Sequence, residues 1–173
     1  MGAGFMTFGH CSFKARTEGS IRIGKGVRLQ SSWRSNRVGL TGPVLLQTIG
    51  SGMIDIGDHS GGSSVVISSR SEVRIGKRVL LGGNARVYDH DFHALDPSAR
   101  ELPPDQEAKH IRTEPIHIGD DVFVGANAII LKGGQIGSGS VVAAGAVVFR
   151  GDYPANSMLI GNPAVVRGRG RRK

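Results

Sequence analysis

The stretch IHIGDDVFVGANAIILKGGQIGSGSVVAAGAVV, Ile116 to Val148, decides the fold. Within it Ile118, Val124, Ile130, Ile136, Val142 and Val148 recur at every sixth residue. Six steps around an α-helix turn through about 600°, which scatters these side chains over three sides. Six is even, so on extended backbone all of them point to one face. Two positions before each stands a mostly small residue: Ile116, Val122, Ala128, Gly134, Ser140 and Ala146. One position after it come Gly119, Gly125, Leu131, Gly137, Ala143 and Phe149, and glycine accepts positive φ where a chain bends sharply. The unit reads as a very short strand, a corner and another short strand, which is the hexapeptide pattern of a parallel β-helix. Three units close a triangular coil of roughly 18 residues, so 118–135 and 136–153 are two full coils.

Outward from this block the pattern continues with interruptions. Ile21-Arg22-Ile23-Gly24 opens it, Leu29 follows six residues after Ile23, and residues 30–50 blur it into coil with a loop that carries Trp33. Ile54-Asp55-Ile56-Gly57 restores it, and Ile75, Leu81 and Val87 continue it, with one residue inserted between Ile56 and Ile75. The phrases beginning at Ile21, Ile54, Val73 and Ile116 mark one corner of successive coils. Counting on from Val87, the next sixfold position is His93, after which 94–115 (ALDPSARELPPDQEAKHIRTEP) is rich in proline and charge and has no period. A long patternless excursion from a compact domain commonly carries function. Residues 1–20 read as an irregular N-terminal cap or a degenerate end coil over the open edge, and 150–164 as a closing loop. A helix is indicated nowhere except for a short one near the C-terminus. The expectation is one all-β domain, 1–173, of about six coils.

Gly is 27 of 173 residues, about twice the ordinary share of ~7%, as a fold made of corners requires. The net charge is +8, but Arg167, Arg169, Arg171, Arg172 and Lys173 supply five of those charges within a 167–173 tail. Such a tail can meet nucleic acid, anionic lipid or a phosphorylated ligand, yet a solvated end is the simplest reading, and no nucleic-acid partner is expected. There is no apolar run of ~18 residues and no charged-then-apolar leader in MGAGFMTFGH, so neither a transmembrane segment nor a signal peptide is expected. The lone Cys11 cannot form an internal disulfide, which fits a reducing, cytoplasmic setting.

Tyr88-Asp89-His90-Asp91-Phe92-His93 is the densest cluster of reactive groups. An imidazole beside a carboxylate is a general base in the making. A bland alternative is a polar surface turn. His90, His93, His110 and His117 also offer zinc ligands, but no compact ligand pair such as H-E-x-x-H is present and no metal is expected. A serine nucleophile elbow, a phosphate-binding P-loop and a dinucleotide fingerprint are all missing from the sequence.

Three phrases, D-x-H-A-L-D-P at 91–97, P-I-H-I-G-D-D-V-F-V-G-A-N at 115–127 and G-N-P-A at 161–164, together with the hexads, resemble the hexapeptide-repeat acyltransferases. The similarity covers about residues 21–166 and is greatest to the sugar O-acetyltransferase branch, which includes the maltose, galactoside, lipopolysaccharide and capsule acetyltransferases. The resemblance implies a left-handed parallel β-helix, against the usual right-handed crossover. It also implies acetyl-CoA as acyl donor, a carbohydrate acceptor and a homotrimer with its active site between subunits. It implies His93 as catalytic base with Asp91, or a backbone carbonyl, orienting the ring. Asn84 falls to the acceptor by the same resemblance, and the aromatic character of Tyr88 and Phe92 separately suggests a sugar-binding face. Ala126 is implied as the oxyanion amide, and Phe123, Ala144, Phe149, Arg150 and Arg167 join it along coenzyme A. Phe123 stands where the family often has Trp, and Phe149-Arg150 where it often has Thr-Lys. Aromatic stacking and a fixed positive charge survive both changes.

The reading is therefore an acetyl-CoA-dependent O-acetyltransferase acting by direct transfer to a sugar hydroxyl. Its rivals are a zinc-dependent carbonic-anhydrase-like β-helix and a non-catalytic solenoid used for assembly.

Overall fold

The computed structural model describes residues 1–169. The chain passes through three sheets in turn, once per coil. The first face stacks Met6–Phe8, Arg28–Gln30, Gly61–Ser63, Leu80–Leu81, Phe123–Val124, Val141–Val142 and Ser157–Ile160 in that order. The second stacks Cys11–Lys14, Val44–Thr48, Val66–Ser69, Arg86–Tyr88, Ile129–Leu131 and Val147–Val148. The third stacks Ile21–Ile23, Met53–Ile56, Glu72–Ile75, Ile116–Ile118, Gly134–Ile136 and Gly151–Tyr153. All these pairings are parallel, and six complete coils result.

The sixfold residues are the core. Ile23, Ile56, Ile75, Ile118 and Ile136 are in register on the third face, and Leu46, Ile67, Val87, Ile130 and Val148 on the second. Leu81, Val124, Val142 and Leu159 line up on the first. All are buried. Each contributes on the order of 1.5–3 kcal/mol by leaving water, and the ladder hydrogen bonds satisfy the backbone between them.

Corners are built by two devices rather than one. Positive φ recurs at Asp121, Asn127, Gly133, Gly139 and Gly145, with values of 58°, 58°, 77°, 70° and 69°. These residues stand three after the inward position and are of the types that tolerate the left-handed region. Gly119, Gly125 and Gly137, to which the sequence reading gave that task, are needed for closeness instead. A Cβ there would lie 2.6, 2.4 and 2.4 Å from backbone nitrogen of the next coil.

Four expectations are corrected. Residues 1–20 are no irregular cap: they form a full first coil, its strands paired to the second. Between Gly151 and Arg169 the chain is mostly strand. Its last segment, Val165–Arg169, turns back antiparallel on Ser157–Ile160 and lies at the edge of the first sheet. Helix occurs in the excursion, as Pro97–Arg100 and Pro104–Glu107 followed by a 3-10 turn Ala108–His110, and none is found in the described C-terminal residues. Finally, His93 is not a coil position. The third-face place after Val87 belongs to Ile118, which pairs with Ile75. The chain leaves the coil at Asp89, directly after Tyr88, and returns at Ile116. The basic tail beyond 169 lies outside the described residues.

A second loop, 31–43, leaves between the first and second faces of the second coil. Asn84 holds it down. Asn84 stands at φ 62°, its Oδ1 accepts from the Thr41 amide (2.9 Å) and hydroxyl (3.0 Å), and its Nδ2 donates to the Gly39 carbonyl (2.9 Å).

Candidate active site

The root of the excursion is a small closed structure. Asp89 is fully buried, and its carboxylate accepts from the Ser69 hydroxyl at 2.6 Å and from the Arg70 and Ser71 amides at 2.8 and 2.9 Å. That ties the departing chain to the corner of the coil below. The returning chain is zipped to it: Asp91 N donates to Arg112 O, Glu114 N donates to Asp89 O, and His90 bridges Thr113. His90 itself is buried, 3% exposed. Its Nδ1 donates to the Asp91 carbonyl at 2.8 Å, so Nε2 is the acceptor facing the Ser68 hydroxyl at 3.0 Å. Phe92 stacks edge-on against both His90 and Tyr88, at 4.6 and 5.0 Å between centroids. Burial pushes the Tyr88 phenol up in pKa.

His93 is placed differently. Its side chain is 73% exposed, and Nδ1 donates to Glu107 Oε1 at 3.1 Å. The same oxygen accepts from the Ala94 amide at 3.0 Å. The Ala94 amide first, and His93 after it, hold the Glu107 carboxyl below the usual carboxylate range. With Nδ1 donating to a carboxylate, the neutral ring presents Nε2 as an acceptor, and Nε2 has no partner among the described residues.

Glu107 is thus the orienting group that sequence reasoning missed. Asp91, expected to orient the imidazole, pairs elsewhere: its Oδ1 meets Lys132 Nζ at 2.5 Å. The signal for Glu107 was present, because Pro103-Pro104-Asp105-Gln106-Glu107 has proline at the first helical position and acid in the first turn. No local rule says that this turn folds back beneath His93, 14 residues away.

The expected ligand residues fall into two groups on different corners. At the corner after the first face stand Ala126 and Ala144, on adjacent coils, with the Ala126 carbonyl accepting from Gly145 N at 2.9 Å. Neither the Ala126 nor the Ala144 amide has an acceptor among the described residues. Phe123 and Ala126 line a cavity of about 640 Å³ that runs over the first face under loop 31–43. Asn84, whose side-chain oxygen and nitrogen both bond to that loop, supports the cavity from behind. At the corner after the second face, Asp91, Phe149 and Arg150 line another cavity, of about 650 Å³, with Lys132 and Glu114. There Arg150 pairs with Glu114 at 3.1 Å and stays largely exposed. Arg167, on the final strand, is exposed and joins neither group.

The histidines weighed as zinc ligands are dispersed. His90 uses both nitrogens on Ser68 and Asp91, while His93 gives one nitrogen to Glu107 and His117 one to Glu72. Among the described residues no three ligating side chains are drawn together. No helix among them is long and apolar enough to cross a membrane.

Residues 115–150 match the family model for the hexapeptide repeat of succinyl-transferase. Over 156 residues, 87% of this chain and 72% of the relative, the sequence is 33% identical to WbbJ of Escherichia coli K12, a protein named for lipopolysaccharide biosynthesis O-acetyl transfer. Two further curated relatives are matched over 41% and 21% of their own length. Among solved structures, the hexapeptide-repeat acetyltransferase VCA0836 of Vibrio cholerae superposes with TM-score 0.64 at 30% identity, over 95% of this chain and 76% of that one. The same acetyltransferase solved with acetyl coenzyme A superposes with TM-score 0.60 at 26% identity, over 98% and 73%. The fold shared with these structures is the left-handed parallel β-helix, and with that architecture and this degree of identity the chain belongs to the hexapeptide-repeat acetyltransferases.

Proposed function

We propose that this protein transfers an acetyl group directly from acetyl-CoA to a hydroxyl of a sugar or polysaccharide precursor, with His93 as general base. The observation that carries the proposal is the state of the His93 ring: Nδ1 held by Glu107, Nε2 unpartnered, and the side chain standing in solvent on an arm clear of the coil. Nε2 takes the proton of the acceptor hydroxyl as its oxygen attacks the thioester carbonyl. The oxyanion of the tetrahedral intermediate meets the Ala126 N–H, a term of about 3 kcal/mol for one well-aimed donor. Collapse breaks the carbon–sulfur bond, and the imidazolium returns its proton to the leaving thiolate as free coenzyme A. No covalent acyl-enzyme is needed, and Cys11 lies in the first coil, far from the excursion in the stack. Ala144, Phe149 and Arg150 are assigned to coenzyme A, with Tyr88 and Phe92 backing the arm from which His93 projects. The lone thiol fits a reducing compartment, and the reading places the reaction in the cytoplasm.

In a single chain Ala126 and His93 belong to different corners. The reading therefore requires that the arm of one copy serve the Ala126 corner of another, in a homotrimer. The outward rows support this. On the first face Leu80, Phe123 and Met158 are in one register row with Val141 and are 58%, 47% and 39% exposed. The corresponding row of the third face is Arg22, Asp55, Arg74, His117, Gln135 and Asp152, a row built for water. An apolar stripe of this kind marks a face that another surface covers. Incubation with acetyl-CoA and a panel of sugars, following free thiol release, tests the reading. Thiol release that requires both a sugar and His93 supports it, and release indifferent to His93 contradicts it.

A further inference from the structure

The cavity over the first face has a character that acetyl transfer alone does not call for. Its floor is the strand Gly61–Ser63, where Gly61 interrupts the outward row between Arg28 and Leu80 and leaves a slot one rung deep. Gly61 has no room to be anything else, since a Cβ would lie 2.5 Å from the Arg28 carbonyl. One wall carries Arg28 and His59. The opposite wall is apolar, Leu80 and Phe123, and leads to Ala126. Asn36, reaching in from loop 31–43, donates to the Ser63 hydroxyl at 2.9 Å. No carboxylate lines the cavity, and neither Arg28 nor His59 has a side-chain hydrogen bond or ion pair among the described residues. Elsewhere on the same edge the exposed arginine Arg78 is engaged, by Asp121 at 2.7 Å. A guanidinium and an imidazole left unmatched in a pocket otherwise lined by hydroxyl, amide and apolar groups fit an anion brought by a ligand.

Resting on the acetyl-transfer reading, we infer that this slot is the acceptor seat and that it takes a sugar bearing an anionic group, a carboxylate or a phosphate, held by Arg28 and His59. Arg28 stands three rungs from Phe123, about 14 Å at the usual strand spacing. That span exceeds one hexose ring, so the acceptor is of about disaccharide length, its anion at the Arg28 wall and its reacting hydroxyl toward Ala126.

The probes are maltose, maltobionate and maltose 1-phosphate, one disaccharide with no charge, a carboxylate or a phosphate, titrated calorimetrically into the intact protein. At least one anionic form binds about tenfold or more tightly than maltose, the scale of charge-assisted hydrogen bonds. Arg28→Ala abolishes that preference, Arg28→Lys keeps part of it, and His59→Asn, chosen because asparagine tolerates the φ of 60° there, weakens it. The stronger of the two anionic probes identifies the group. Maltose binding as tightly as both charged forms, a preference that survives Arg28→Ala, or no binding of any probe overturns the inference. The same titrations on His93→Ala keep the two readings apart. Anion preference retained there, with thiol release also unchanged, leaves the slot standing and removes His93 as the base.

Discussion

His90 and His93 stand three residues apart in one excursion and have opposite surroundings. At the root, His90 is buried, both ring nitrogens are used and an aromatic ring lies across it. On the arm, His93 is in solvent with one nitrogen fixed and the other open. A histidine beside two aspartates looks reactive in sequence wherever it falls. The difference lies in what each nitrogen meets: a base needs a free lone pair, and His90 has none to give. The root is built to hold, and the arm is built to present.

The largest effect expected from this contrast is kinetic. His93→Ala lowers kcat by about 10²–10⁴, the usual cost of losing a general base, with its melting temperature close to wild type. His90→Ala does the reverse. It leaves the Ser68 hydroxyl unpartnered and a void beneath Phe92, so it lowers the melting temperature while folded protein keeps most of its turnover. Turnover and thermal melts measured side by side decide the matter, and a stable, inactive His90→Ala would break the contrast.

Asp89→Ala strips three donors of their acceptor at a fully buried site, at about 1–3 kcal/mol for each group left unpaired, reduced where water enters. Amide exchange should report opening across 89–115 well before the coils open. Uniform exchange over the whole chain would mean that the root is not a separate tie.

Glu107→Gln keeps the shape and removes the charge that fixes the His93 ring. A loss of about tenfold in kcat with KM for acetyl-CoA unchanged is expected, because the residue acts through His93 and touches no substrate. An effect confined to KM would assign Glu107 to binding.

The smallest effect is in pH. The Glu107 carboxyl is held below its ordinary value of about 4.5, so the folded arm favours the ionised form. The stability it gives is present in full above that value and is lost as pH falls through the lower folded pKa. Protection of the Ala94 amide against exchange, relative to its intrinsic rate at each pH, should therefore fall below about pH 4.5 in the native chain and show no such step in Glu107→Gln.

The coils were legible because they are local. A residue every six positions with a small one two before it is enough to name the strand and the face, whereas the corner was read one position after the inward residue and its left-handed residue stands three after. Reading faltered where placement depends on distant contacts. His93 was named from the D-x-H phrase, and the count of six from Val87 that seemed to back it assumes the chain stays on the coil, which it had left at Asp89. The residue type pointed to function for a reason that the geometry does not share. Glu107 lay in a stretch without period, and its role depends on a helical turn folding back under His93. Asn84 was expected to face the acceptor, whereas tethering loop 31–43 takes both ends of its amide. The first coil was legible only as a degenerate end coil, because on Met6–Phe8 the apolar Met6 and Phe8 face outward and the polar Thr7 holds the inward register.

The most direct test of the account is complementation between two inactive chains. His93→Ala removes the base, and Ala126→Pro removes the amide at a position that precedes a left-handed residue and so accepts proline. Each variant alone should release little thiol from acetyl-CoA. If the base of one copy serves the amide of the next, chains co-expressed in equal amounts form mixed trimers in which about one site in four carries both groups intact, and activity returns to about a quarter of wild type. If each chain held its own complete site, no intact pairing could arise. Mixed assemblies as inactive as their parents, with both variants folded and co-purifying, would contradict the shared site on which the mechanism rests.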